Sequence, residues 1–288
     1  TSDKYSFDNS TWYNGTGNYL TLTPGEDVYF KTCTSSCSAV QTLDVPSRPA
    51  APSFSFDYAT ELTTSTVSSD YQYATQSNMS GAVTGSGTKI VVTPGITLYI
   101  RKKATASSFA SEKQSLVIPA RPAAPSFTID FTAETTGEPV TADYMYSAHA
   151  DLSAPTAGTS NQITVTPGTN LYFWKPAAEA SFKSPVQSLT VPDRPSGPVV
   201  TIDFINETTL QSLPATVEYA AFANMSGAID GNGTPVSLTP GTDLYFRTKA
   251  ADDAFVSAIT HLDVPVKPAS PAITVDYTQE TTSAMEAT

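Results

Sequence analysis

One short segment appears four times along the chain at a fixed interval of 73 residues, and that period constrains the fold more than any other feature. Arg48-Pro49-Ala50-Ala51-Pro52 is followed by Arg121-Pro122-Ala123-Ala124-Pro125, by Arg194-Pro195-Ser196-Gly197-Pro198 and by Lys267-Pro268-Ala269-Ser270-Pro271. The same step links Asp57, Asp130, Asp203 and Asp276. It also links Glu61, Glu134, Glu207 and Glu280, and Phe109, Phe182 and Phe255. A Thr-Pro-Gly turn keeps step at Thr93, Thr166 and Thr239, while the copy at Thr23 is out of step because the first repeat is shorter. A chain of this kind is an array of one small supersecondary unit, each copy marginal alone and dependent on its neighbours for burial.

Within a repeat the pattern reads as strands. Phe127 to Phe131 alternates apolar and polar, Asp143 to Ser147 carries Tyr144 and Tyr146, and Ile163 to Thr166 runs into Pro167-Gly168. Asn170 to Trp174 and Gln187 to Val191 complete the unit. In the turn, proline presets φ and the glycine after it accepts a positive φ. Only 15% of residues are charged, and the chain is rich in Thr and Ser with many Val, Pro and Tyr, which favours strands over helices. The expected fold is all-β: a tandem array of short immunoglobulin-like β-sandwich modules with a 73-residue period. The boundaries fall at 1–47 (a partial module), 48–120, 121–193, 194–266 and 267–288 (an opening strand).

Leu171-Tyr172-Phe173 and Leu244-Tyr245-Phe246-Arg247, each followed by a loop of small residues, a last strand and a Val-Pro-x-x-Pro segment, resemble the closing strands of fibronectin type III and immunoglobulin-like modules in bacterial surface proteins. At 73 residues the unit is shorter than the usual ~100 of an immunoglobulin domain, so a strand is missing or merged. The resemblance implies an extracellular or cell-surface structural role. The linkers Arg48, Pro49 and Pro52; Arg121, Pro122 and Pro125; Arg194, Pro195 and Pro198; and Lys267, Pro268 and Pro271 contain no flexible Gly/Ser run, so stiff connections are expected.

The two ends invite comparison. Matching Tyr5 and Phe7 to Tyr71 and Tyr73 leaves the first module without its opening strand, while matching Lys267 to Arg48 sets Thr288 opposite Ser69. Ile273, Val275 and Tyr277 then form an opening strand with no sandwich to join. Open sheet edges template pairing. The ends are therefore expected to reflect either strand complementation between copies head to tail, or a window onto a longer covalent array of the same repeats.

Chemistry is sparse. Asp57/Glu61, Asp130/Glu134 and Asp203/Glu207 are weak Ca²⁺ candidates, too few at each junction for a six- to eight-oxygen shell. Capping of turns or pairing with Arg48, Arg121, Arg194 or Lys267 is the preferred reading. No cofactor is expected. Cys33 and Cys37, without further Cys or a nearby His, are too few ligands for a zinc site and are read as a small loop disulfide in preference to two free thiols. Phe109, Phe182 and Phe255 are expected to plug the end of each sandwich, with the cysteine loop in that place in the first module. His149 and His261 occupy different positions in their repeats with no recurring nucleophile, which argues against an enzyme. A net charge of −12 excludes a nucleic-acid partner, and no run of residues is apolar enough to span a membrane. The chain reads as part of an extracellular filament or adhesin stalk. The alternative is a carbohydrate- or protein-binding array using loops such as 78–87 and 224–233.

Overall fold

The structure, a computed structural model, describes residues 2–283; Thr288, set opposite Ser69 by the repeat, lies outside the described residues. Among the described residues every regular element is a strand, all paired antiparallel, giving an all-β array of repeated sandwich modules. The chain forms two compact units, Thr1–Pro125 with Trp174–Val186, and Ser126–Phe173 with Gln187–Thr288. This division cuts across the repeat. Trp174–Val186 belongs to the third repeat by sequence and to the first unit by packing.

In the first unit, Phe56–Asp57 pairs with Leu62–Thr63 as an opening hairpin. A four-stranded sheet comes next, in the order Gln114–Leu116, Leu98–Lys102, Tyr71–Ala74, Val83–Thr84. Alternation along Leu98–Lys102 places Leu98 and Ile100 in the core. The same unit holds a sheet of Tyr13–Asn14, Ser2–Ser6, Val28–Cys33 and Gln41–Leu43, with no opening hairpin before it among the described residues.

The second unit repeats the arrangement twice. Ile129–Asp130 pairs with Thr135–Thr136 and Ile202–Asp203 with Thr208–Thr209. Phe173 and Phe246 take the buried place of Ile100. Beyond the last linker Val275–Asp276 pairs with Thr281–Thr282 as one more opening hairpin.

Four sequence expectations change. The opening strand is two residues, not Phe127 to Phe131, because a side chain rather than a sheet ladder holds Phe127: the Phe127 N–H donates to Gln187 Oε1 (2.8 Å) and Gln187 Nε2 donates to the Phe127 carbonyl (2.7 Å). Ile163 to Thr166 forms no strand and instead bonds back to the hairpin, Thr136 N–H to Ile163 O and Val165 N–H to Glu134 O, both at 2.8 Å. The Val275 strand is not single, since it carries its own hairpin partner. Finally, Tyr5 faces Phe30 as Tyr73 faces Ile100, so Tyr5 takes the place of Tyr73 and not of Tyr71. A slip of two residues keeps every side chain on its face, which is why the aromatic alternation alone misplaces it.

Candidate assembly interface

The recurring Asp and Glu build the turn of each opening hairpin. Asp57 Oδ1 accepts from the Ala59 N–H (3.1 Å) and the Thr60 N–H (2.7 Å), and its carbonyl accepts from the Glu61 N–H at 2.9 Å. The Thr60 N–H is the main reason the Asp57 carboxyl lies below the ordinary aspartate range. Asp203 caps Ile205 and Asn206 in the same way, with the Asn206 side chain the chief cause of its lowered pKa. The chain then enters the left-handed region at Glu61 (φ 57°), Glu134 (53°), Glu207 (51°) and Glu280 (54°). Such a position favours Gly or Asn. What glutamate adds is reach to the next linker: Arg121 Nη2 lies 2.8 Å from Glu61 Oε2, Arg194 Nη2 2.8 Å from Glu134 Oε2, and Lys267 Nζ 2.6 Å from Glu207 Oε1.

The arginines have a second bond. Arg121 Nη1 donates to the Lys183 carbonyl (2.6 Å) and Arg194 Nη1 to the Val256 carbonyl (2.8 Å), each one residue past the recurring phenylalanine. One guanidinium therefore ties the hairpin of one repeat to the phenylalanine loop of the next. The phenylalanine completes the contact. Phe182 is fully buried among Val92, Leu98, Ile100 and Ile118, with its ring 4.8 Å from Tyr58 and 5.8 Å from Phe56. Phe255 lies in the cluster of Phe127, Val165 and Phe173, 4.9 Å from Phe131. This corrects the sequence reading: the ring fills the core of the preceding repeat, not its own.

Two kinds of residue escaped the sequence reading. Buried Thr63, Thr136 and Thr209 each accept from an N–H of the segment before the Thr-Pro-Gly turn and donate to a nearby carbonyl. Ser111, Ser184 and Ser257 accept from Lys102, Lys175 and Thr248 N–H, which closes the phenylalanine loop. Both recur every 73 residues, but Ser and Thr are so abundant that the period hides among chance matches.

At the two ends the same contacts are half made. Gln114 clamps Phe54 as Gln187 clamps Phe127, yet the equivalent Gln41 side chain has no hydrogen-bond partner among the described residues. Leu20 and Leu22, the counterparts of Ile90 and Val92, have N–H groups with no acceptor among the described residues. Phe109 is only half-buried, beside a cavity of about 360 Å³ lined by Leu22, Leu43, Val45 and Pro46. Arg48 meets Glu112 at 3.2 Å and has no hairpin glutamate among the described residues. At the other end Val275 is 58% and Tyr277 89% exposed, and Glu280 forms no ion pair among the described residues.

The remaining candidates have plainer places. Cys33 and Cys37 form a disulfide in the loop where later repeats carry phenylalanine. Glu61 and Glu134 face arginine, Glu207 faces Lys267, and Asp57, Asp130 and Asp203 face backbone N–H groups. Among the described residues no three His, Cys, Asp or Glu side chains converge on a point where a metal ion could sit. His261 stacks on Tyr245 and meets Asp243 at 2.8 Å. In the loops at 78–87 and 224–233, Met79 and Met225 turn inward and are buried.

No family model matches the chain, and no curated protein matches it. Among solved structures, the FN1-FN3 domains of chicken CNTN1 align at 12% identity over 76% of this chain and all of that one, with a TM-score of 0.21. Surface layer protein SbsC, domains 1-6, aligns at 10% identity over 99% of this chain and 53% of that one, also with a TM-score of 0.21. This chain thus spans about half the length of the SbsC structure, and scores this low carry no argument about function.

Proposed function

We propose that the chain is a structural component of an extracellular filament or adhesin stalk, with repeats joined head to tail through stiff linkers and with strand complementation between copies as the finer form of the reading. The observation that supports it best is the burial of Phe182 and Phe255 in the repeats before their own. A repeat whose core is filled by its successor is suited to load-bearing continuity along a chain. The reading includes no catalytic step. Immunogold labelling of intact cells that make the protein tests it: label along surface appendages is the expected result. Label that appears only after the cells are made permeable contradicts it.

A further inference from the structure

We propose that the outer sheet face of the second repeat binds a linear polysaccharide whose sugars carry carboxylates. The second repeat departs from the acidic character of the chain. Residues 48–120 contain six Lys and Arg against four Asp and Glu, whereas each of the other segments has more acid than base. Alternation turns Leu98 and Ile100 inward, so Tyr99, Arg101 and Lys103 share the opposite face, successive members about 7 Å apart. Lys113, just before Gln114–Leu116, joins them with its ammonium 5.5 Å from the Tyr99 ring centroid.

The fourth repeat shows what such a face accepts. There Arg247 and Lys249 stand in the places of Arg101 and Lys103, and the neighbouring strands supply carboxylates. Glu218 Oε1 lies 2.5 Å from Arg247 Nε, and Asp230 Oδ2 lies 2.9 Å from Lys249 Nζ. Two periods earlier the same carboxylate positions are Gln72 and Thr84, both neutral. The third repeat lacks the cations as well, with Trp174 and Pro176 in their places and Met145 and Ala157 in those of the acids. In the first repeat Lys31 takes the Arg101 position, and the Trp12 ring covers it at 3.7 Å. The second repeat therefore keeps the cations of the fourth without their carboxylates.

Gln72 fixes Arg101 without cancelling its charge: with its amide oxygen turned to the guanidinium, it accepts from Nε and Nη2, both at 2.6 Å. Lys113 donates to the Ser77 carbonyl, which is also neutral. The acids nearest in sequence are engaged elsewhere, Glu112 with Arg48 at 3.2 Å and Asp70 with the Ser68 hydroxyl at 3.4 Å. Arg101, Lys103 and Lys113 form no ion pair among the described residues. Carboxylates arriving from solvent take the places that Glu218 and Asp230 fill in the fourth repeat. Tyr99, only half-buried, presents an apolar ring to the C–H face of a pyranose, which favours a sugar over an acidic peptide. The ligand adds to the structural role, and all of these residues lie within one complete repeat.

Affinity electrophoresis and calorimetry of the full chain with polygalacturonate, its methyl ester and polyglutamate test the site. Polygalacturonate should bind, the uncharged ester should not, and the affinity should fall as salt is raised. Gln72→Glu with Thr84→Asp, which installs the carboxylates of the fourth repeat, should weaken binding about tenfold or more, with circular dichroism showing the variant folded. Arg101→Gln with Lys103→Gln should do the same, and Lys249→Gln in the fourth repeat should change nothing. Absence of binding to polygalacturonate at low salt, equal binding of the ester, or undiminished binding by the Gln72→Glu/Thr84→Asp variant overturns the site. Polyglutamate bound as tightly as polygalacturonate overturns the polysaccharide as its ligand.

Discussion

At the scale of the residue, the repeated positions are explained by hydrogen-bond satisfaction more than by charge. Thr135 is the exception, a buried hydroxyl with no partner among the described residues. Thr135→Val removes an unpaired polar group and keeps the β-branched shape, so stability should be unchanged or rise by up to about 1 kcal/mol, read from the urea midpoint at constant m-value. The hairpin aspartates set a pH dependence. Asp57 and Asp203 have lowered pKa values in the fold, so their contribution is present above the unfolded aspartate pKa and is lost as pH falls through the folded one. The melting temperature should therefore drop as pH is lowered below about 4, and Asp57→Asn with Asp203→Asn should flatten that slope. An acid limb unchanged in the double variant would mean that other carboxylates govern it.

At the scale of the element, the segment that leads into the opening hairpin is held by one glutamine side chain in place of a sheet ladder. Gln187→Ala removes two hydrogen bonds to Phe127 and should cost about 1–3 kcal/mol, whereas Gln41→Ala, which removes none among the described residues, should cost close to nothing. Chemical denaturation of the two variants at concentrations where the chain is monomeric makes the comparison. This dependence on side chains is also where reading strands from sequence reaches its limit. Alternation located Met145–Ser147, Leu171–Trp174 and Gln187–Leu189, whose faces differ in burial. It overextended the opening strand and made a strand of Ile163 to Thr166, because a segment bonded through Thr136, Gln187 and the Glu134 carbonyl alternates like a strand without belonging to a ladder. The ion pairs of Glu61 and Glu134 were legible as one option because acid and base recur with the same period. That Phe182 leaves its own repeat was not legible, since a period of 73 residues looks the same whether a side chain packs within its unit or one unit back.

At the scale of the whole molecule, this displacement is what makes the array more than a series of small sandwiches. A 73-residue unit has too little interior to be robust alone, and the borrowed ring supplies part of what is missing. In the fourth repeat the cluster of Val200, Leu213, Val217, Leu238, Phe246, Leu262 and Val264 receives no phenylalanine from a later loop among the described residues. A cavity of about 570 Å³ remains there, lined by Ile202, Phe204, Leu238 and Val264. The central claim, that the second and third repeats are each completed by the repeat that follows, is tested most directly by hydrogen exchange on Phe182→Ala. Loss of a fully buried ring should cost about 3–5 kcal/mol. The account predicts that this loss appears as reduced protection in the second repeat, at amides such as Val92 and Ile100, with Met145–Ser147 and Gln187–Leu189 of the third repeat unchanged. Deprotection confined to the third repeat, with the second as slow to exchange as in the wild type, would contradict it.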